Sequence, residues 1–294
     1  MKLFSTAFLS KELDDKLSKE GYVVLPLLSQ EEIEAIREFY LKTKPSVSTK
    51  GFHSTHFSKD RDYKKTVHDF LKEVFQPYIQ LNLPDYRIAF CNFMVKEPGT
   101  DSSGMPLHTD WTYVDENKHR SLALWCALSD TSELNGALGV IPKSHLLPHN
   151  IRGPKIKTPF HDFNEDLIKH AGKLLEISAG TAVIYDHRLM HFSPPNLSKD
   201  TRIALNLILL PKEVSVKHYC ILDDPNQIVC YDVDSDDFYL NYDAFEKPNT
   251  DSVPTLIPYH YISFTEQDLS EFLPRKDCIS AKAPWWKKLW AMKK

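Results

Sequence analysis

"SLALWCAL", residues 121–128, alternates two sets of side chains. Ala123, Trp125 and Ala127 share one face of an extended chain, while Leu122, Leu124, Cys126 and Leu128 share the other, because side chains in a strand repeat every two residues. The stretch reads as a strand, and it is not alone. "YRIAFCNFMV" (86–95) is another, and "RIALNLILL" (202–210) closes the series. "KLLEIS" (173–178) and "TAVIYD" (181–186) read as two strands across a tight Ala-Gly turn. Short strands separated by Pro, Gly and Asn argue for a sandwich or barrel.

Before residue 86 the period is closer to 3.6, which indicates helices around one strand, "YVVLPLL" (22–28). Leu9, Leu13 and Leu17 recur every four residues, and Gly21 ends that helix. "SQEE" (29–32) fits a capping box, in which Ser29 accepts from the first turn and Glu32 reaches back. Ile33, Ile36 and Tyr40 form the buried stripe of the helix that follows, and Val67, Phe70, Leu71, Val74 and Phe75 mark a third. After residue 211 the pattern weakens to one strand, "PYHYISF" (258–264), and one helix near "TEQDLSEFL" (265–273). The chain is expected to be a single domain over 1–294. It has a mainly helical flank (1–84), a β core (85–211) and a C-terminal extension (212–294) packing on that core.

Composition narrows the function classes. The 294 residues are 42% hydrophobic and 26% charged, an ordinary globular balance. A net charge of −4 gives no bulk attraction to nucleic acid or acidic membrane. No apolar run approaches the roughly 18 residues a spanning helix needs. The start, "MKLFSTAFLSKELDD", reads as part of the folded protein rather than a signal peptide. Five cysteines (91, 126, 220, 230, 278), spread without a pattern, suggest reduced thiols and a cytoplasmic location.

"PLHTDWTYVDE" (106–116) places His108 and Asp110 two positions apart, on one side of an extended segment. His191 follows 81 residues after Asp110. Two histidines and one carboxylate occupying one face of an octahedron form the Fe(II) arrangement of non-haem oxygenases, with three positions left open. Coincidence is the competing reading in a chain of 13 histidines. Bringing His108 and His191 together from distant strands favours a double-stranded β-helix, a cupin-like jelly roll, with the helices flanking it. Arg202 heads the next strand, eleven residues past His191. Its planar fork suits a carboxylate of a cosubstrate, because it binds through two parallel bonds and keeps its charge when buried.

These residues resemble the phytanoyl-CoA dioxygenase family of Fe(II)- and 2-oxoglutarate-dependent oxygenases. The likeness runs through "GYVVLPLLSQEEIEAI" (21–36), "MPLHTDW" (105–111), "LWCALSDTSELNGALGVIPKSH" (124–145) and "HRLMHFSPPNLSKDTRIAL" (187–205). It implies a metal triad of His108, Asp110 and His191, and a distal-carboxylate site at Arg202 assisted by Ser193. It also places Trp125 in the cosubstrate pocket. Thr109 departs from the Gln common in relatives, which speaks against a direct cosubstrate role for it. The implied cofactors are Fe(II), 2-oxoglutarate and O₂, and the implied co-products are succinate and CO₂. Halogenating relatives vacate the carboxylate position, so Asp110 implies hydroxylation or a related oxidation.

The expected partner is a small polar metabolite, with no nucleic acid and no stable membrane association. The alternatives are a substrate carried on coenzyme A, a peptide or a carrier protein, and a non-catalytic binding module of the same fold. Five other stretches carry open readings. "GFHSTHFSKDRDYKK" (51–65) is a lid or a solvated loop. Asp115 and Glu116 either meet a cationic substrate or pair with Lys118 and Arg120. "NGALGVIPKSH" (135–145) reads as structural, with Ser144 and His145 near the site mouth. "DVDSDDFYLNYD" (232–243) is a solvated acidic turn rather than a calcium loop, since it lacks the glycine at position 6. "PWWKKLWAMKK" (284–294) packs on the domain or docks on a membrane or acidic partner.

Overall fold

A computed structural model describes residues 6–45, 51–222, 224–233, 237–242 and 253–273. Three helices come first: α1 (Lys11–Glu20), α2 (Gln30–Thr43) and α3 (Arg61–Asn82). The capping box at Ser29 and Glu32 is present, with Glu32 N donating to Ser29 Oγ and Ser29 N to Glu32 Oε2. Gly21 ends α1 in the left-handed region at φ 86°, which a side chain would resist. Leu9 lies before the Ser10 cap and is 69% exposed, so only the later part of that leucine series faces the core.

Around these helices run β1 (Tyr22–Pro26), β2 (Phe52–Ser54), β3 (Tyr86–Lys96), β4 (Met105–His108), β5 (Leu122–Ala127), β6 (Leu138–Val140) and β7 (Lys173–Leu175). After α4 (Asn164–Ala171), which precedes β7, come β8 (Thr181–Asp186), β9 (His191–Ser193) and β10 (Arg202–Pro211). A six-stranded sheet has the order β1-β8-β5-β10-β3-β2, and a four-stranded sheet the order β4-β9-β6-β7. Between them lies the jelly-roll interior, where Ala123, Trp125 and Ala127 pack with Leu138, Val140 and Leu175. The opposite face of the large sheet packs Leu122, Leu124 and Cys126 against Leu17, Ile36 and Leu71 of the helices. The two faces of "SLALWCAL" thus serve two cores.

Four expectations need correction. The stretches around β7 and β8 do not form a hairpin: the strands belong to different sheets, and residues 176–180 carry the chain from one to the other. Thr131 and Gly180 anchor that crossing, with Thr131 N donating to Ile177 O and Gly180 N to Ala127 O. The helical flank also supplies both edges of the large sheet, β1 pairing with β8 and β2 with β3. Near the C-terminus, β11 (Val216–Cys220), β12 (Gln227–Val233) and β13 (Thr255–Pro258) make a third sheet. The strand therefore ends where "PYHYISF" begins. "TEQDLSEFL" forms turns, held by Asp268 accepting from Thr265 N, with Phe264 and Leu269 buried against Phe160 and Met190. A short helix, α5 (Phe238–Asn241), was not signalled. The tail at 284–294, Cys278 and parts of 232–243 lie outside the described residues.

Candidate metal and cosubstrate site

Strands β4 and β9 run antiparallel and pair His108 directly with His191, leaving their ring centroids 4.1 Å apart. A bulge in β4 falls between Met105 and His108. Just past the strand end, Asp110 N donates to His187 O, which turns the carboxylate back beside the imidazoles. Each of His108, Asp110 and His191 has a ligand atom within 4.8 Å of the other two. Asp110 Oδ1 is 3.7 Å from His191 Nε2.

The ring nitrogens are assigned by their neighbours. His108 Nδ1 lies 2.8 Å from Pro106 O and His191 Nδ1 lies 2.9 Å from Leu189 O. A carbonyl only accepts, so both Nδ1 atoms carry the proton and the Nε2 atoms are the nitrogens offered to a metal, that of His191 with the Tyr185 hydroxyl 3.5 Å away. Burial, then the neighbouring His191, pushes His108 down to about 4, which keeps it neutral at ordinary pH. Burial works to raise Asp110, but His191, His187, His108 and the Tyr185 hydroxyl outweigh it and hold the carboxyl below its usual value. The donor set is two imidazoles and a carboxylate, which suits Fe(II).

Arg202, at the start of β10, is 3% exposed, with its guanidinium carbon 5.5 Å from the Trp125 ring centre. Its Nε and Nη1 have no partner among the described residues. Burial pushes Arg202 down to about 9. An unpartnered buried guanidinium is costly unless something anionic completes it. Ser193 is nearby in sequence order but differs from expectation in one respect: its hydroxyl donates to Gly136 O at 2.7 Å. Towards a carboxylate it presents lone pairs rather than a proton.

Several contributors escaped the sequence reading. Lys96, fully buried, is the cross-strand partner of Arg202. Its Nζ donates to Ser193 O at 3.1 Å and to Pro194 O. Burial, then Arg202, holds it well below the ordinary lysine value. Pairing the ends of "YRIAFCNFMVK" and "RIALNLILL" antiparallel would have found it. His187 places Nε2 4.0 Å from Asp110 Oδ2 and Nδ1 2.8 Å from Ser121 Oγ. Arg152 donates from Nε to Asp110 O at 2.6 Å and pairs with the buried Glu116. No spacing links residues 110, 116 and 152, so nothing in the sequence signalled that clamp.

Glu116 thus meets Arg152 rather than Lys118 or Arg120, while Asp115 does pair with Lys118, at 3.2 Å. Ser144 and His145 are buried supports: Ser144 Oγ accepts from Met190 N, and His145 Nε2 lies 3.1 Å from Ser18 O. The 51–65 stretch is not a solvated loop. It forms β2, a 3₁₀ turn and the start of α3, and its Phe52, Ser54 and His56 wall a cavity of about 200 Å³ that reaches His108 and Asp110.

The profile of the phytanoyl-CoA dioxygenase family (PhyH) matches residues 17–204. Phytanoyl-CoA dioxygenase 1 of Oryza sativa subsp. japonica is 31% identical over 123 residues, which is 41% of this chain and 43% of that protein. The chain therefore spans less than half the length of that relative. Phytanoyl-CoA dioxygenase domain-containing protein 1 of Danio rerio is 25% identical over 262 residues, 68% of this chain and 90% of that protein. Among solved structures, the non-heme alpha ketoglutarate dependent carbocyclase SnoK from nogalamycin biosynthesis superposes with a TM-score of 0.52 at 23% identity. It covers 73% of this chain and 89% of its own, a likeness of fold.

Proposed function

The chain belongs to the phytanoyl-CoA dioxygenase family, and from that premise we propose that it is an Fe(II)- and 2-oxoglutarate-dependent oxygenase acting on a C–H bond of a small polar metabolite or natural-product intermediate. The observation that carries this reading is the His108–His191 cross-strand pair. Backbone carbonyls hold both Nδ1 atoms, which offers the Nε2 atoms to a metal beside the Asp110 carboxylate, and all three ligand atoms lie within 4.8 Å of one another.

His108, Asp110 and His191 would hold Fe(II). The iron, with 2-oxoglutarate and O₂, supplies the oxidising power, with succinate and CO₂ as co-products. The chain's own residues do the rest. Arg202 receives the distal carboxylate of 2-oxoglutarate, its free N–H groups meeting oxygens. Trp125 stacks beside that guanidinium and excludes water. Ser193 lies where a hydroxyl oxygen can line the same end, and the buried Lys96 stands in register with Arg202 there. Arg152 donates to the Asp110 carbonyl and so fixes the backbone that carries the carboxylate.

Asp110 fills the position a halide would need, which supports hydroxylation. The likeness to a carbocyclase concerns the fold, and a ring closure is distinguished by its product: hydroxylation adds an oxygen atom, whereas ring closure removes two hydrogens. The experiment measures iron binding under anaerobic conditions and then succinate release with 2-oxoglutarate and O₂. His191→Ala is expected to lose both iron and turnover with its fold intact. Wild-type iron content and normal turnover in that variant would sink the assignment. Stimulated release with acyl-coenzyme A or a carrier-bound substrate, and with no free metabolite, would replace the small-molecule reading with the carried one.

A further inference from the structure

Resting on the reading that this cavity is the substrate side of the site, we infer that it takes an uncharged, ring-bearing molecule whose hydroxyl or amide group is received by Asn206. The cavity of about 200 Å³ opens onto His108 and Asp110 and is separate in lining from Arg202 and Trp125. That volume falls below the about 300–1,000 Å³ of sites enclosing drug-sized ligands, so it admits a single small molecule or the head of a larger one.

The walls have two characters. One is aromatic: Phe52, Phe57, Trp111 and Tyr113 present ring faces and edges. The other is polar but neutral: Ser54, Asn92 and Asn206. Ser54 donates to Asn92 Oδ1 at 2.7 Å, and Asn92 Nδ2 donates to Asn206 O at 3.1 Å, so two of these groups are already engaged. Asn206 Oδ1 is buried and has no partner, and the same is true of Thr109 Oγ1 in the same lining. A buried polar atom left unmatched costs free energy that a ligand group can recover.

Charge is what the lining lacks. Among the described lining residues no Lys or Arg appears, and the one carboxylate, Asp110, is committed to the metal. The nearby cations are engaged elsewhere. Lys64 Nζ donates to the carbonyls of His56 and Tyr242, and Arg152 pairs with Glu116. His56 sits among the rings of Phe57, Phe90 and Trp111, and burial, then Lys64 and His218, pushes it down to about 3, so it faces the cavity as a neutral imidazole. A carboxylate, phosphate or ammonium entering here would lose its water and gain no counter-ion. A ring lying against Trp111 with one hydroxyl towards Asn206 meets both walls. An amide both accepts and donates, so it receives a hydroxyl in either orientation.

The test uses three molecules of one shape: benzyl alcohol, benzoate and benzylammonium. Each is titrated against the full chain by ligand-observed NMR, once metal-free and once loaded anaerobically with Fe(II) and 2-oxoglutarate. Benzyl alcohol is expected to bind at least about 10-fold more tightly than either ion in the loaded protein, a difference of about 1.4 kcal/mol. Tighter binding of either ion in that state overturns the inference, as does binding by none of the three in both states. Asn206→Asp is expected to raise benzylammonium above benzyl alcohol, and an unchanged order removes Asn206 from the site. If that variant does not fold, Asn206→Leu serves: it should weaken benzyl alcohol several-fold and leave toluene unchanged, and equal loss for both overturns the assignment. The metal-free titration keeps this test apart from the iron reading. Loss of iron or 2-oxoglutarate binding would sink the proposed function, while the neutral ring would still be tested in the cavity itself.

Discussion

Asp186 and Asp110 are both aspartates at the end of a strand, both surrounded by histidine and arginine, and they are built to opposite ends. Around Asp186 the pairing is closed. Oδ1 accepts from Arg188 N and Nε, Oδ2 pairs with Arg188 Nη2, and Arg120 Nε stands 3.5 Å away. Around Asp110 it is left open. Oδ2 is buried with no hydrogen-bond partner, His187 stops 4.0 Å short of it, and the His108 and His191 lone pairs face the same gap. A finished ion pair stabilises the fold, whereas an unfinished one stores the capacity to bind.

The sharpest way to break this comparison is to neutralise each carboxylate in turn. Asp186→Asn removes the carboxylate that the buried Arg188 and Arg120 both meet, and is expected to cost about 3–5 kcal/mol of stability. Asp110→Asn removes a charge whose surroundings were incomplete, so metal-free stability should change by less than about 1 kcal/mol, while iron affinity collapses. Urea unfolding of the metal-free proteins, with iron titration alongside, measures both. Equal destabilisation by the two substitutions would erase the distinction.

Arg202 extends the contrast to a second group, where a cation rather than a carboxylate is left unfinished. Replacing it with Ala removes the partner of a buried carboxylate, worth about 2–5 kcal/mol by analogy with interface pairs. The apparent constant for 2-oxoglutarate should then rise by about 30-fold or more. An unchanged constant would pass the role to Lys96, whose ammonium is the nearest alternative in register.

How much of this was legible follows the same division. The strand "SLALWCAL", the capping box at Ser29 and the buried stripes of α2 and α3 were readable, because each is a local pattern repeated at a fixed period. His108 and Asp110 were readable from an i, i+2 spacing, and His191 and Arg202 from a resemblance carried by their flanking residues. The false hairpin at β7 and β8 shows the limit: alternation identifies strands but not which sheet each joins. The supports of the site were hidden for the same reason. Arg152, Glu116 and His187 meet Asp110 through loop crossings, and no periodicity relates their positions.

Acidity tests the finished pair without mutating the unfinished one. Burial works to raise Asp186, but Arg188, then His145 and Arg120, outweigh it and hold the carboxyl at about 2, below its ordinary 3.8. A depressed carboxylate contributes stability above its unfolded value and loses it as pH falls through the folded value. At about 1.36 kcal/mol per unit the contribution is about 2 kcal/mol, and it should vanish between about pH 4 and pH 2. The wild type should therefore lose more stability over that window than Asp186→Asn does. Parallel losses in the two proteins would place the acid sensitivity elsewhere.

The smallest expected effect belongs to Ser193, and it separates resemblance from geometry. The resemblance gives this hydroxyl a share in holding 2-oxoglutarate. The structure commits its proton to Gly136 O at 2.7 Å, at a glycine held in the left-handed region at φ 78°. A carboxylate arriving at Arg202 meets the Ser193 lone pairs unless the hydroxyl turns, and turning strands the Gly136 carbonyl. One bond is exchanged for another, so the gain from 2-oxoglutarate is at most the net value of a single hydrogen bond, about 0.5–1.5 kcal/mol. Ser193→Ala should raise the apparent 2-oxoglutarate constant by about 10-fold at most, well below the Arg202 effect. It should also lower metal-free stability by a similar free energy, since the Gly136 carbonyl then loses its donor inside the protein. A large rise in the constant with unchanged stability would mean that the hydroxyl is released to the cosubstrate, and that this end of the site is as unfinished as the metal end.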